Sequence, residues 1–192
     1  MKMSLHSLRM LLLFLCFFIL GSASPRMTGE EIEKYIQKKL KRNDQVLKIN
    51  GKNLGDEGVA HLARSPLLRT VSNLILYKGN FGDEGVRALA ESKHLGQLTG
   101  LYLENNNITD KGVRYITRSK SLPNLKTLNL YHNRITDEGA GFIADSDSLS
   151  QLEELNLNYN QIHGAGAIRL THSTKLQKLK TIQLTYNPIK RS

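Results

Sequence analysis

From about residue 44 onward, apolar and polar positions recur with a period of 27. The runs Leu101-Tyr-Leu-Glu-Asn-Asn-Asn-Ile-Thr-Asp-Lys-Gly112 and Leu128-Asn-Leu-Tyr-His-Asn-Arg-Ile-Thr-Asp-Glu-Gly139 show it most clearly, and looser copies begin at Leu47, Leu74, Leu155 and Ile182. Copies in fixed phase, without insertion, signify stacked units that bury their apolar faces only against one another. We count each copy from its first apolar residue as position 0. Positions 0 and 2 are apolar in every copy, which predicts a short half-buried strand. Position 7 is apolar again (Leu54, Phe81, Ile108, Ile135, Ile162, Ile189). Position 9 is Asp56, Asp83, Asp110, Asp137 and then Gly164, and position 11 is Gly from Gly58 to Gly166. Apolar residues then follow at helical spacing, as in Val113 and Ile116. An Asp ahead of them, often behind Thr109 or Thr136, predicts a helix start. A small residue (Ala63, Ala90, Thr117, Ala144, Thr171) lets neighbouring helices approach closely, a Ser column marks the helix end, and Leu68, Leu95, Leu122, Leu149 and Leu176 return the chain to the next strand.

Position 5 reads Lys52, Gly79, Asn106, Asn133, Asn160 and Asn187. Asn at a bend can satisfy backbone groups that leave the strand ladder, so Asn106, Asn133, Asn160 and Asn187 form an expected structural ladder of amides. The predicted fold is α/β: a right-handed solenoid curved into an arc, with parallel strands on the concave face and helices on the convex face. Strands take the inside because a helix layer is wider than a strand layer.

Two segments precede the repeats. Met1 to Arg9 carries Lys2 and Arg9, an apolar run follows from Met10 to Leu20, and Gly21-Ser22-Ala23 supplies small residues before a cut. This is the order of a secretory signal peptide, residues 1–23, cleaved after Ala23. Its apolar run rises about 16 Å as a helix, short of a bilayer core of about 30 Å, so no transmembrane anchor is expected after cleavage. The expected location is secreted or periplasmic. The only cysteine, Cys16, leaves with the leader, which excludes thiol chemistry in the mature chain. Residues 24–43 predict an N-terminal capping helix. Thr28-Gly-Glu-Glu31 fits a capping box, and Ile32, Tyr35, Ile36 and Leu40 make one apolar stripe that would cover the first repeat. Residues 44–192 form the repeat domain.

Net charge is +10, or +8 without Lys2 and Arg9. This favours acidic partners in a general way. The basic residues are dispersed, and no nucleic-acid-binding signature accompanies them, so no specific nucleic acid is expected.

The pattern Leu-x-x-Leu-x-Leu-x-x-Asn-x-Ile-x-Asp-x-Gly, as in Leu125 to Gly139, resembles a leucine-rich repeat of the ribonuclease-inhibitor-like type, over roughly residues 44 to 192. The resemblance implies protein–protein binding through the concave strands and adjoining loops, without shared catalytic residues. Cysteine-rich end caps, general in exported animal and plant members, are missing. With the leader, the combination resembles an exported bacterial protein.

Residues between and after the strand leucines should face the concave side. The candidate binding residues are Tyr77, Tyr102, Glu104, Asn129, Tyr131, His132, Glu154, Asn156, Asn158, Tyr159, Gln183 and Tyr186. Tyr offers large contact area at low entropic cost. Six strands about 4.8 Å apart and about 17 Å long give a face of about 400 Å², against about 800 Å² for a standard partner footprint. The neighbouring loops, or a peptide-sized ligand, must make up the difference.

Polar residues recur once per unit, whereas a catalytic constellation is placed once. The Asp-Glu pairs at 56–57, 83–84 and 137–138 occupy helix starts, the histidines show no metal-ligand motif, and no phosphate loop or nucleophile elbow is present. No enzyme activity, cofactor or metal is expected. Asn107-Ile-Thr109 fits a glycosylation acceptor that matters only in a eukaryotic secretory route. The leading reading is an exported, non-catalytic module that binds a protein or peptide through its concave Tyr/Asn face. The alternative is a basic, envelope-associated structural protein that holds acidic polymers or anionic lipid surfaces. Weak self-association through the strand bearing Ile182 and Leu184 is also expected, because the last unit stops without a helix.

Overall fold

A computed structural model describes residues 26–189. The leader expected at residues 1–23 lies outside the described residues. The chain begins with α1 (Gly29–Leu40), then alternates β1 (Val46–Lys48), α2 (Gly55–Ala63), β2 (Asn73–Ile75), α3 (Asp83–Ala90), β3 (Gly100–Tyr102), α4 (Asp110–Thr117), β4 (Thr127–Asn129), α5 (Asp137–Ala144), β5 (Glu154–Asn156), α6 (Gly164–Thr171) and β6 (Thr181–Gln183). A short 3₁₀ turn, Pro66–Thr70, follows α2. The six strands form one parallel sheet in sequence order. Leu47, Leu74, Leu101, Leu128, Leu155 and Ile182 stand opposite one another in unbroken register. The 27-residue period is that register. Neighbouring strands sit about 4.8 Å apart and packed helices about 8–10 Å, so the strands take the inner side of the arc. Among the described residues, no helix is long and apolar enough to cross a membrane.

The core runs lengthwise between the two layers. Leu101, Leu103, Ile108 and Val113, and their counterparts in the other central units, are fully buried, and Phe81 fills the same position 7 as Ile108. At the amino-terminal end, α1 closes the core: Ile32 and Ile36 are fully buried, and the Tyr35 hydroxyl donates to the carbonyl of Lys48 at 3.4 Å. Its capping box is formed in both directions, Thr28 N–H to Glu31 Oε2 at 2.8 Å and Glu31 N–H to Thr28 Oγ1 at 3.3 Å. The Thr28 N–H, with its hydroxyl adding to the effect, holds the Glu31 carboxyl below its ordinary pKa. At the other end Ile182 and Leu184 are only partly covered and Ile168 is exposed.

Polar side chains tie unit to unit. Asn133 Nδ2 donates to the carbonyls of Leu103 and Leu130, at 3.0 and 3.1 Å, and its Oδ1 accepts from the N–H of Ile108 at 3.1 Å. Asn160 and Asn187 repeat this one and two units on. Asn106 differs, because the preceding unit has Gly79 at its own position 5. Its Oδ1 accepts from the N–H of Gly79, at 3.0 Å.

The aspartates require a correction. The sequence pattern puts Asp before the helix as its start signal. In the structure Asp110 and Asp137 are the first helical residues, and the N-caps are Thr109 and Thr136. Each carboxylate instead serves the following unit. Asp83 Oδ1 accepts from the N–H groups of Thr109 (2.8 Å) and Gly112 (2.9 Å), and its Oδ2 accepts from the Thr109 hydroxyl (2.7 Å). Asp110 does the same for Thr136 and Gly139. This explains the Gly column. A Cβ on Gly112 would lie 2.6 Å from Asp83 Oδ1 and 2.7 Å from Ile108 Cγ2. The Ser column also crosses units: Ser119 Oγ donates to the carbonyl of Ala90 at 2.6 Å, and Ser146 Oγ to that of Thr117 at 3.0 Å.

Two substitutions separate packing from polar bridging. Leu130→Ala is expected to lower the unfolding free energy by about 2–5 kcal/mol. Asn133→Ala leaves the buried N–H of Ile108 without its acceptor and is expected to cost about 1–3 kcal/mol. Urea denaturation is the measurement, with Gln161→Ala at an exposed position as the control, expected within about 0.5 kcal/mol of the parent.

Candidate functional site

The strand faces opposite the core carry the candidate residues at positions −1, 1 and 3, with position 4 just past each strand. Tyr102, Asn129, Glu154, Asn156 and Gln183 border a shallow depression of about 250 Å³ over β3 to β6. Gly100 has no side chain, so the Tyr102 ring lies against the sheet there; a Cβ on Gly100 would come within 2.8 Å of that ring. Amides cross-link the floor. Asn129 Nδ2 donates to Glu104 Oε1 at 2.8 Å, and Asn158 Nδ2 donates to Gln183 Oε1 at 3.2 Å. Asn129 and Asn156 also accept, through Oδ1, from the N–H groups of Tyr131 and Asn158, both at 3.0 Å. These bonds hold the strand exits, so the floor is preorganised.

The tyrosines divide into two groups. Tyr131, His132, Tyr159 and Tyr186 meet at the carboxy-terminal half. Tyr159 stacks on Tyr186 with ring centroids 4.1 Å apart and 22° between planes, Tyr131 lies 5.1 Å from Tyr159, and His132 lies 6.1 Å from both Tyr131 and Tyr159. Crowding by neighbouring residues raises the Tyr159 phenol above its ordinary pKa, and hydrogen bonding to Tyr186 adds to this. Tyr159 is 38% exposed and Tyr186 67%. Tyr77 stands apart, with Lys78 Nζ 5.5 Å from its ring centroid. Tyr102 belongs to the floor rather than to the cluster.

Glu104 is the one carboxylate set into this face. Its Oε2 is buried without a hydrogen-bond partner among the described residues. Burial lifts its carboxyl above the ordinary range, and its own backbone N–H and Lys48 pull in the other direction. Glu154 is exposed at the edge of the depression. No group of three or more His, Cys, Asp or Glu placed to hold a metal ion occurs among the described residues.

The pattern of hydrophobic positions did not foretell the backbone at position 4. Gly51, Lys78, Asn105, His132, Tyr159 and Tyr186 all have φ between 51° and 60°. From Gly51 to Tyr159 the N–H there donates to the position-3 carbonyl of the next unit, as His132 does to Asn158 at 2.9 Å and Tyr159 to Thr185 at 3.0 Å, and Tyr186 keeps the same turn without such a bond among the described residues. Gly51 and Asn105 are the sequence signals that could have revealed it.

Residues 96–140 match the family described as Leucine Rich repeats (2 copies), and residues 149–170 match Leucine Rich repeat. No curated protein matches the chain. Solved structures similar to it include an internalin, inlF, from Listeria monocytogenes, with 26% identity over 77% of this chain and 34% of that chain, TM-score 0.47. Internalin C2 of the same organism is 24% identical over 73% of this chain and 61% of that chain, TM-score 0.45. The leucine-rich-repeat ectodomain of the Arabidopsis thaliana receptor kinase GASSHO1/SCHENGEN3 is 23% identical over 68% of this chain and 14% of that chain, TM-score 0.39. The chain thus spans less than two thirds of the length of these proteins.

A carboxyl with a raised pKa holds its proton more tightly in the folded than in the unfolded chain. Its contribution therefore favours folding at acid pH and is lost as pH rises through the folded value. Glu104→Gln keeps an oxygen for Asn129 and removes the charge. It is expected to melt higher than the parent at neutral pH, with the difference vanishing as pH falls below the ordinary carboxylate range. Thermal melts across that range measure it.

Proposed function

The chain is a leucine-rich repeat protein, and on that premise we propose that it is a non-catalytic module that binds a protein or peptide through its concave Tyr/Asn face. The observation that carries this reading is the preorganised floor. The side chains that alternate with the buried leucines include Tyr102, Asn129, Tyr131, Asn156, Asn158 and Gln183, and several are already held by neighbours, as in the Glu104–Asn129 and Asn158–Gln183 bonds. Such groups offer large contact area and hydrogen bonding with little left to order on association. Amide side chains recur along the face at Asn129, Asn156, Asn158 and Gln183, which suits an extended partner.

Export is part of the proposal and rests on the charged, apolar and small-residue order of residues 1–23. The basic surface supports the second reading, retention on acidic polymers, less well. Its basic residues are dispersed and some are locally paired along the helices and returns: Lys111 reaches Glu84 at 2.9 Å, Lys126 reaches Glu153 at 3.2 Å, and Lys175 reaches Asp147 at 2.7 Å.

Affinity capture with the full chain tests the proposal, run at low and high salt beside the Tyr102→Ala/Tyr131→Ala/Tyr159→Ala variant. A discrete partner that survives high salt and is weakened at least tenfold in the variant is expected, which is about 1.4 kcal/mol. Partner binding unchanged in the variant would defeat the reading. Acidic material that washes off in salt from both proteins would favour the second.

A further inference from the structure

Position 4 is where this chain departs from what the fold alone would choose. The left-handed turn recurs there in all six units, and from Gly51 to Tyr159 a backbone bond to the next repeat holds it. Glycine and asparagine accept that conformation readily, and they occupy it in the first and third units as Gly51 and Asn105. The other units place Lys78, His132, Tyr159 and Tyr186 there. A left-handed backbone is unfavourable for most non-glycine residues. Side chains kept at such a cost, in a row, and exposed to solvent, are kept for what they contact.

The row is graded. At one end Lys78, Asn80, Asn105, Asn107 and His132 border a polar hollow of about 310 Å³. At the other end Tyr159 and Tyr186 stack, with the outer one two-thirds exposed. Charge is graded too. Lys52, Lys78 and Arg134 stand on this rim, and no ion pair joins any of them to a carboxylate among the described residues. The one acid on the rim over the same stretch, Glu104, is half-buried.

Resting on the binding-module reading, we propose that this strand-exit rim is the principal docking line and that its ligand is an acidic peptide segment. The segment lays an aromatic or aliphatic side chain on the Tyr159–Tyr186 stack and directs a carboxylate to Lys78 and the adjoining hollow. Unpaired cations beside an acid-poor rim are the charge complement of such a segment. The length follows from the geometry. Lys78 and Tyr186 are four strand steps apart, about 19 Å, and an extended chain covers that in about six residues. The carboxylate and the apolar side chain should therefore stand about four to six positions apart, with amides of the rim, Asn105 and Asn107, facing the intervening backbone.

Selection of a displayed random dodecapeptide library on the full chain tests this. The enriched peptides are expected to pair Asp or Glu with Trp, Tyr, Phe or Leu at that separation. When synthesised, they should bind Tyr159→Asn and Tyr186→Asn at least tenfold more weakly, and Lys78→Glu should select against acids. Because asparagine tolerates the left-handed turn, the two Asn variants should melt at or above the parent temperature, so lost binding is not lost folding. Enriched peptides without the acid–apolar pairing, or bound equally by both Asn variants, would overturn the rim assignment. If those peptides still fail on the Tyr102→Ala/Tyr131→Ala/Tyr159→Ala protein, the concave-face reading survives alone. No enrichment, or dextran sulfate binding that competes with every peptide and ignores Tyr159 and Tyr186, overturns the rim assignment as well.

Discussion

Each unit of this protein leaves backbone and side-chain groups that only the next unit satisfies. The in-register strands are the familiar part of that dependence, from Leu47 opposite Leu74 to Leu155 opposite Ile182. The less familiar part is carried by short polar side chains. Asn133 closes the bend of its own unit and takes the N–H of Ile108 from the unit before. Asp110 closes the helix start of the unit after, through Thr136 and Gly139. Because such groups are buried or nearly so, leaving them unmet would cost free energy comparable to a core defect. The spacing between units therefore has no slack, and an insertion within a repeat would break the Asn and Asp connections together.

That rigidity creates the surface on which binding is proposed. Alternation along each strand sends leucines inward and leaves Tyr102, Asn129, Asn156 and Gln183 outward, at a repeat fixed by the sheet. The same inter-unit bonding holds the left-handed turn just beyond the strand from Gly51 to Tyr159, and with Tyr186 repeating it, Lys78, Asn105, His132, Tyr159 and Tyr186 line up as a rim. Floor and rim are thus two consequences of one constraint. They differ in freedom: floor residues bond to one another, whereas Tyr186 and Lys78 project further into solvent.

Much of this was legible in the chain before any coordinates. The period, the strand alternation, the apolar stripe of α1 and its capping box follow from local chemistry that repeats, so six noisy copies reinforce one reading. Asn at the bend was likewise readable as an amide serving backbone groups. What misled was the aspartate. Its place ahead of apolar residues at helical spacing is a sound local signal for a helix start, yet its carboxylate is engaged 26 to 29 residues further on.

By itself the sequence determined the repeat, the element types, their order and which residues face the core, since each depends on side-chain periodicity within a single unit. Only the tertiary structure decided which unit each polar side chain serves, that Tyr131, His132, Tyr159 and Tyr186 gather while Tyr77 stands apart, and that position 4 turns left-handed. Those outcomes depend on distances between units, about 4.8 Å from strand to strand, and a linear pattern carries no such distance until the chain is stacked.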